Sequence, residues 1–399
     1  MQIIHIFAVI CGLSAELHNQ LRYFEVLHHL DIRVRKKRSV DNPHAIVKDV
    51  SFFAFGRNFN LIFTAGSKVI TGDFTATLVH KDGSSSPLYV DHTEFYTGHL
   101  LENKDVTANA YTDGGLWSIH VYGKEETYSL EPSWPHLPPS DNHTMIMYRT
   151  SDIKWSNILP GFHANQNHLK DFDQQQTQNM GQEKHKTNTF SRDGRRNRRA
   201  ATADTCRIII VADYTFYMGP GHGSPDKTVK HLIAIMEGVN KIFRETVWDD
   251  EHRNLGLQIT ELRIHPELTE QRKFHKNGLH YNMGPGEWGA LEYLNQFDRE
   301  QGFDRFCLAH LLTHRKFREG LLGYAHIASP RTHAIGGICS SRLDNAMAMN
   351  TAVSSSIGQM GQNLLTQVSV LVVAHALMKV TFLNLGDESR LTCFYDSFK

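Results

Sequence analysis

The sequence predicts a two-domain molecule, a β-rich domain followed by an α/β domain with a mixed sheet and helices. Three observations carry this. Residues 46–155 hold short runs of alternating apolar and polar residues, the period of half-buried strands. Residues 165–199 are rich in Gln, Asn, Lys and Asp and nearly free of large apolar side chains, a composition that buries no core and reads as a disordered linker. After Ala200, apolar runs of strand length alternate with runs of helical period, the pattern of an α/β unit.

The chain of 399 residues is 40% hydrophobic, enough for two or three cores. Lysine plus arginine and aspartate plus glutamate are equal at 42 each, so no net basic excess points to nucleic acid. The 25 histidines are scattered and carry no weight as composition. Residues 1–15 read as a secretory signal peptide: Ile3, Ile4, Ile6 to Ile10 and Leu13 form a short apolar core, and Ser14 and Ala15 suit cleavage. The longest later apolar stretch, Val368 to Met378, is too short for a membrane span and contains His375. A secreted chain without a membrane span is expected. Cys11 leaves with the signal; Cys206, Cys307, Cys339 and Cys393 remain, and their count suits disulfides in any of three connectivities.

In chain order, an upstream segment runs to residue 38 and ends in the basic run Arg35-Lys36-Lys37-Arg38. Residues 60–64, 74–79 and 116–121 read as strands, the last after the turn signal Asp113-Gly114-Gly115. Asn142-His143-Thr144 is an N-glycosylation sequon in a polar loop. The linker ends in Arg195-Arg196-Asn197-Arg198-Arg199, whose Arg196, Arg198 and Arg199 fit the R-x-[K/R]-R pattern of furin-like convertases. Arg35, Lys37 and Arg38 form an earlier candidate of the same kind. Beyond Ala200, residues 207–212 read as a buried strand, 227–246 as an amphipathic helix, and Leu255, Leu257 and Ile259 as a strand. Leu291, Leu294 and Phe297 mark a second helix, Leu308 to Thr313 another strand, and 364–384 a largely apolar, buried helix. His310 and His314 are four apart, but on a strand their Cα atoms would lie ~13 Å apart, too far to chelate one ion.

Several segments in this order resemble the ADAM (adamalysin, reprolysin) metalloendopeptidase family, most like the branch of the tumour-necrosis-factor-α converting enzyme (TACE) sheddase. They are Phe95-Tyr96-Thr97-Gly98-His99, Leu130-Glu131-Pro132-Ser133-Trp134, Thr205 to Asp213, His280-Tyr281-Asn282-Met283 and Cys307 to Leu311. Gly320 to Ala325 and Gly336-Gly337-Ile338-Cys339 complete the set. The resemblance spans residues 46–399 and implies a prodomain over 16–199 and a metzincin-like metalloproteinase domain over 200–399, incomplete at its C-terminus. It makes Leu321 to Ala325, with Leu322 and Gly323, the edge strand that pairs with an extended substrate. It pairs Cys206 with Cys307. In the family Cys339 and Cys393 pair with cysteines further downstream; here they are expected to pair with each other or stay free.

The family's zinc helix needs H-E-x-x-H-x-x-G-x-x-H: two histidines one turn apart, a turn glycine, a third histidine, and a glutamate to take a proton from the metal-bound water. In the matching register His375 retains the first ligand, Ala376 stands for the glutamate, Lys379 for the second histidine, Phe382 for the glycine and Leu385 for the third histidine. No histidine follows His375, so a shifted register restores nothing. One imidazole falls short of the three protein ligands of a catalytic zinc site, and an ammonium beside it repels the ion. Zinc, the family cofactor, is therefore not expected here. The prodomain cysteine that caps the metal in the family is matched by Pro160 in Pro160-Gly161-Phe162. The reading that follows is a secreted pseudoprotease that binds a protein partner or substrate-like peptide, an active paralogue included. The alternatives are an active zinc sheddase and a truncated product without function.

Overall fold

The computed structural model describes residues 17–37, 45–136, 144–158, 205–246, 254–270, 279–284, 286–327, 336–338, 340 and 347–381. The strands before the linker are β1 (Glu25–Leu27), β2 (Asp31–Lys37), β3 (Ala45–Ala54), β4 (Arg57–Ala65), β5 (Ile70–Val79), β6 (Ser85–Pro87), β7 (Phe95–Leu100), β8 (Thr107–Asp113), β9 (Leu116–Tyr122), β10 (Thr127–Pro132) and β11 (Met145–Arg149). A short helix α1 (Trp155–Ile158) follows. Beyond the linker come β12 (Thr205–Ala212), α2 (Tyr214–Met218), α3 (Pro225–Glu245), β13 (Gly256–Ile264), α4 (Ala290–Phe297), β14 (Leu308–Thr313), β15 (Gly323–Ala325), β16 (Thr351–Ser355) and α5 (Thr366–Thr381).

Nine strands form one antiparallel sheet in the order β1-β11-β10-β9-β8-β7-β4-β3-β2. At ~4.8 Å between strands, a flat sheet of this size would separate its edges by ~38 Å. Yet the edge strands β1 and β2 are joined by residues 28–30 alone, a link that spans at most ~14 Å. The sheet is therefore rolled into an open barrel. Alternate residues of its strands, including Leu27, Leu61, Phe63, Ala108, Trp117, Ile119, Leu130 and Met147, fill the interior as one apolar cluster. Gly114 and Gly115 close the β8–β9 hairpin with φ of 56° and 92°, the left-handed pair that a two-residue turn requires. Two expectations change here. The sheet begins at Glu25 rather than near residue 46, because β1 is only three residues long and β2 reads in sequence as part of a basic run. Arg35 and Lys37 lie in β2, paired with β3, and so are not in an open chain.

The second sheet is mixed, in the order β15-β16-β14-β12-β13-β5-β6. β12, β13, β14, β16 and β5 run parallel to their neighbours, while β15 and β6 are antiparallel edges. Its β5–β6 hairpin comes from the chain before residue 199 and extends the β13 edge, so one sheet takes strands from both sides of the linker. One face of this sheet packs on α3 and α5 through Ile208, Ile210, Leu312, Ile233, Met236, Val373 and Leu377. The other packs on α4 through Ile209, Val211, Leu311, Tyr293 and Phe297. Helices on both faces of a mostly parallel sheet are the α/β architecture that the sequence predicted.

α3 begins at Ser224, whose hydroxyl accepts from the Lys227 amide, with Pro225 at the first helical position. It crosses α5 at Gly238, where a Cβ would lie 2.7 Å from Val370 Cγ2. Only a glycine lets the two helices approach this closely, and that approach fixes α5 over the sheet.

Candidate functional site

The family resemblance puts the chemistry on α5, so what holds this helix comes first. Its N-terminus is capped from the barrel. The buried Glu131 carboxylate, on the outer face of β10, accepts from the Thr366 amide at 3.2 Å and from the Thr366 hydroxyl. The Gln367 amide donates to Tyr148 Oη at 3.4 Å. A carboxylate at a helix N-terminus satisfies orphan amides and meets the positive end of the helix dipole. His136 Nε2 stands 3.4 Å from the other Glu131 oxygen. Burial pushes the Glu131 carboxyl up, but the hydrogen bonds and charge of His136 and the Thr366 bond outweigh it and hold it down at about 2.

Further along, Val370, Val373, Ala374 and Leu377 face the sheet. His375 is exposed, on the outward face that also carries the half-buried Leu371, Val372 and Met378. This corrects the expectation that 364–384 is a buried helix: His375 faces outward. Leu371, Val372 and Met378 make the helix look apolar all round in sequence, although it buries one face only. Ala376 is buried beside Ala374 and Leu377. Position 379, a lysine, lies in the last described turn of the helix; Phe382 and Leu385 lie outside the described residues. Among the described residues no three His, Cys, Asp or Glu side chains are gathered to hold a metal ion. The donor set does not fit a catalytic zinc: it offers one imidazole where three protein ligands are needed, and a methyl group where the water's proton acceptor would stand.

The predicted edge strand is β15, which pairs antiparallel with β16 on one side, Gly323 opposite Ser354, and among the described residues has no strand on its other side. Leu322 just before it is buried and belongs to an apolar cluster with Leu17, Leu21, Ile146, Tyr148, Ile158 and Val368. It anchors the strand instead of presenting itself to a ligand. At the strand's other end His326 Nε2 meets the buried Asp298 carboxylate at 2.7 Å, and the Thr351 hydroxyl donates to the same group at 2.5 Å. The cluster around Leu322 also contains the end of α1, so the barrel chain reaches the flank of α5 as it heads toward Pro160, itself outside the described residues.

His310 lies within β14, fully buried, and burial pushes its imidazole down to about 3. His314 lies past the strand end, with Nδ1 2.8 Å from Ser356 Oγ. The two do not form a chelating pair. Cys206 and Cys307 are disulfide-bonded, their Cα atoms 5.6 Å apart, which staples the start of β12 to the entry of β14. Arg35 is paired with Asp49, Nη2 to Oδ1 at 2.6 Å. Arg38, Asn142, Arg196, Arg198, Arg199, Cys339 and Cys393 lie outside the described residues.

Sequence reasoning missed one buried node. Asp213 follows β12 and caps α2 by accepting from the Phe216 amide at 2.8 Å. Its carboxylate also accepts from Tyr293 Oη and Thr313 Oγ1, each at 2.7 Å, and from Arg315 Nε at 3.2 Å. Arg315 donates on to the Met283 and Gly284 carbonyls at 2.6 and 3.3 Å. Asn282 Oδ1 accepts from the Tyr214 amide at 2.7 Å. The segments Thr205 to Asp213 and His280 to Met283 therefore occur together because one polar network joins them. The available signal was Asp213 itself, an N-cap type directly after an apolar strand.

An α/β domain with this strand order, an open antiparallel edge and a helix bearing part of a zinc motif defines a metalloproteinase-like scaffold. Residues 202–376 match the family model Reprolysin_5, metallo-peptidase family M12, and this match together with the relatives below supports an ADAM-type metalloproteinase family for the chain. It is 24% identical over 395 residues to disintegrin and metalloproteinase domain-containing protein 10 from Bos taurus, covering 92% of this chain and 50% of that protein. It is 26% identical over 276 residues to the Caenorhabditis elegans homologue of disintegrin and metalloproteinase domain-containing protein 17, covering 64% of this chain and 38% of that protein. The chain thus spans about half the length of the curated relatives it matches, or less. Metalloproteinase-II from Bacteroides fragilis aligns over 92% of this chain and 83% of its own with 9% identity and a TM-score of 0.33, too low to add to the argument. No described helix is long and apolar enough to cross a membrane.

Proposed function

We propose that this chain is a non-hydrolytic member of the ADAM-type family, in the TACE-like branch, that binds a protein or an extended peptide without cutting it. One observation carries the reading. The helix that would build the zinc site keeps His375 and replaces the base by Ala376 and the second ligand by Lys379. The scaffold around those positions is intact in its capping, helix crossing and edge strand, which supports binding as the retained property. In the same proposal the chain enters the secretory pathway, carries a glycan at Asn142, and is divided into prodomain and metalloproteinase-like domain by a furin-like convertase at Arg196 to Arg199. An extended peptide would add to the open side of β15, and an active relative is the favoured source of a protein partner. The test is the zinc content of the purified chain together with hydrolysis of a broad-specificity fluorogenic peptide. We expect zinc far below one ion per chain and no chelator-sensitive cleavage. Stoichiometric zinc with cleavage abolished by a chelator would overturn the proposal in favour of a working protease.

A further inference from the structure

The outer face of the barrel docks against α3 and the start of α5, and its centre is polar. Ser118, His120 and Tyr122 of β9 and Ser129 and Glu131 of β10 are buried on that face, alternating with residues that fill the barrel interior. His120 Nδ1 lies 3.0 Å from Ser129 Oγ, while its Nε2 has no hydrogen-bond partner among the described residues. A cavity of about 50 Å³ remains between the two parts. Glu131, His136 and Trp134 line it from the barrel, and His222, Lys227 and His231 from α3 and the loop before it. Trp134 packs edge-on against His222 with ring centres 4.0 Å apart, and Lys227 Nζ lies 4.7 Å from the Trp134 ring centre.

We infer that the barrel and the α/β domain are joined by a contact that loosens on mild acidification, with His120 and His231 taking up the protons as the two parts separate. The histidines sit on opposing elements of one interface, around the carboxylate that caps α5. While docked, burial pushes both imidazoles down to about 4, against the pull of the Glu131 charge. The neighbours of His231 add repulsion, since His120, His136 and His314 all disfavour a further positive charge there. His222 is also held down, by burial and then by Lys227, and acts in the same direction. Once separated and solvated, these imidazoles return to near 6.5. The separated state then binds more protons, so docking is strongest above about pH 6.5 and weakens as pH falls toward 4. Linkage gives about tenfold weaker docking per histidine between pH 7.4 and 5.5, and about 100-fold for both. The other charged groups across the joint are Lys230 with Glu94 at 2.7 Å, Lys227 with Asp113 at 3.9 Å, Arg207 with Asp73, and Glu237, which accepts from the Lys68 amide at 2.8 Å. Burial raises the Glu237 carboxyl, so this group works against the histidines and lessens the slope. Glu131 holds its proton off until far lower pH and sets the neutral-pH strength of the joint, not its slope.

The full chain tests this with a site-specific protease sequence placed in the linker at Arg195–Arg199. After cutting, dissociation of the two pieces, which parts the β5–β13 ladder together with the polar joint because β5 and β6 leave with the barrel, is measured by sedimentation at pH 7.4 and 5.5, with near-ultraviolet circular dichroism confirming that both stay folded. We expect the dissociation constant to rise about 100-fold, His120→Gln and His231→Gln each to remove about tenfold of that rise, and the double variant to lose most of it, keeping only what His222 and Glu237 contribute. A rise below about threefold, a double variant that keeps the full rise, or unfolding in place of separation would each overturn the inference. Should the double variant not fold, the wild-type chain decides alone: log Kd against pH must approach a slope of two between pH 6 and 5, and a slope below one half refutes it. The engineered cut makes the result independent of convertase processing and of whether the chain hydrolyses peptides.

Discussion

The two faces of β9 and β10 carry different work on the same strands. Inward, Trp117, Ile119, Val121 and Leu130 belong to the barrel's apolar cluster. Outward, two residues' alternation away, Ser118, His120, Ser129 and Glu131 are equally buried but polar. The inward set has no polar atoms to satisfy apart from an indole nitrogen, so burial stabilises without conditions. The outward set must find hydrogen bonds across the joint, and its strength depends on protonation and on what lies opposite. The difference teaches that burial alone does not mark a permanent core. A buried polar face is the better candidate for a contact that forms and parts.

The interior gives the largest expected effect. Trp117 stacks on Tyr96 with ring centres 5.2 Å apart and lies 6.0 Å from Phe63. Trp117→Ala should cost about 3–5 kcal/mol through lost burial and an unfilled cavity. A fall in the urea midpoint without a change in slope would show it. A loss below 1 kcal/mol would mean that the barrel interior is not the organising core, and the contrast between the faces would fail.

The outward face gives a smaller and more local effect. Glu131→Gln keeps shape but removes the charge that caps α5 and pairs His136. We expect a loss of about 1–3 kcal/mol at neutral pH. Hydrogen exchange should locate it, with faster exchange at the Thr366 amide and unchanged protection at Ile119 and Leu130. The pH dependence has a defined sign. Glu131 is lowered from 4.5 to about 2 in the folded chain, so its contribution is complete above pH 4.5 and disappears as pH falls through 2. The difference between wild type and variant should therefore be flat from pH 5 to 8 and vanish near pH 2. Equal loss of protection at Leu130 would erase the distinction between the two faces.

Much of this arrangement was legible in the sequence where side-chain period decides it. Residues 60–64, 74–79, 116–121 and 207–212 are strands, and α3, α4 and β14 fall where their apolar spacing placed them. What the period cannot say is which sheet a strand joins. β5 alternates like β4, yet Phe74 and Leu78 pack on the α/β core while Leu61 and Phe63 enter the barrel. That choice is made by distant partners. The barrel's closure was hidden for a related reason, since β1 is only three residues long and the Ile32 and Val34 of β2 are set among arginines and lysines. Leu130 to Trp134 stood out as a family segment, but its physical role, the Glu131 cap on α5, required the fold. The exposure of His375 was masked by Leu371 and Val372, apolar residues that the helix leaves half outside.

The barrel's edge sharpens the comparison from its weakest end. β2 is an edge strand whose Ile32 and Val34 continue the interior-facing row, yet Val34 is 63% exposed. Here neither face is enclosed, and what remains is the ladder to β3 and the pair of Arg35 with Asp49, whose side chains are 59% and 25% exposed. An exposed pair of this kind contributes little, because water screens it and both side chains lose freedom in forming it. Arg35→Ala should therefore shift the urea midpoint by less than the experimental spread in low salt, and not at all in 1 M salt. The ladder, not the ion pair, keeps the basic run in register, so the Ile46 amide should stay as protected in the variant as in the wild type. A fall in the urea midpoint well outside the experimental spread would show that the barrel is clasped at this edge, and that the division of labour between inner and outer faces extends to its rim.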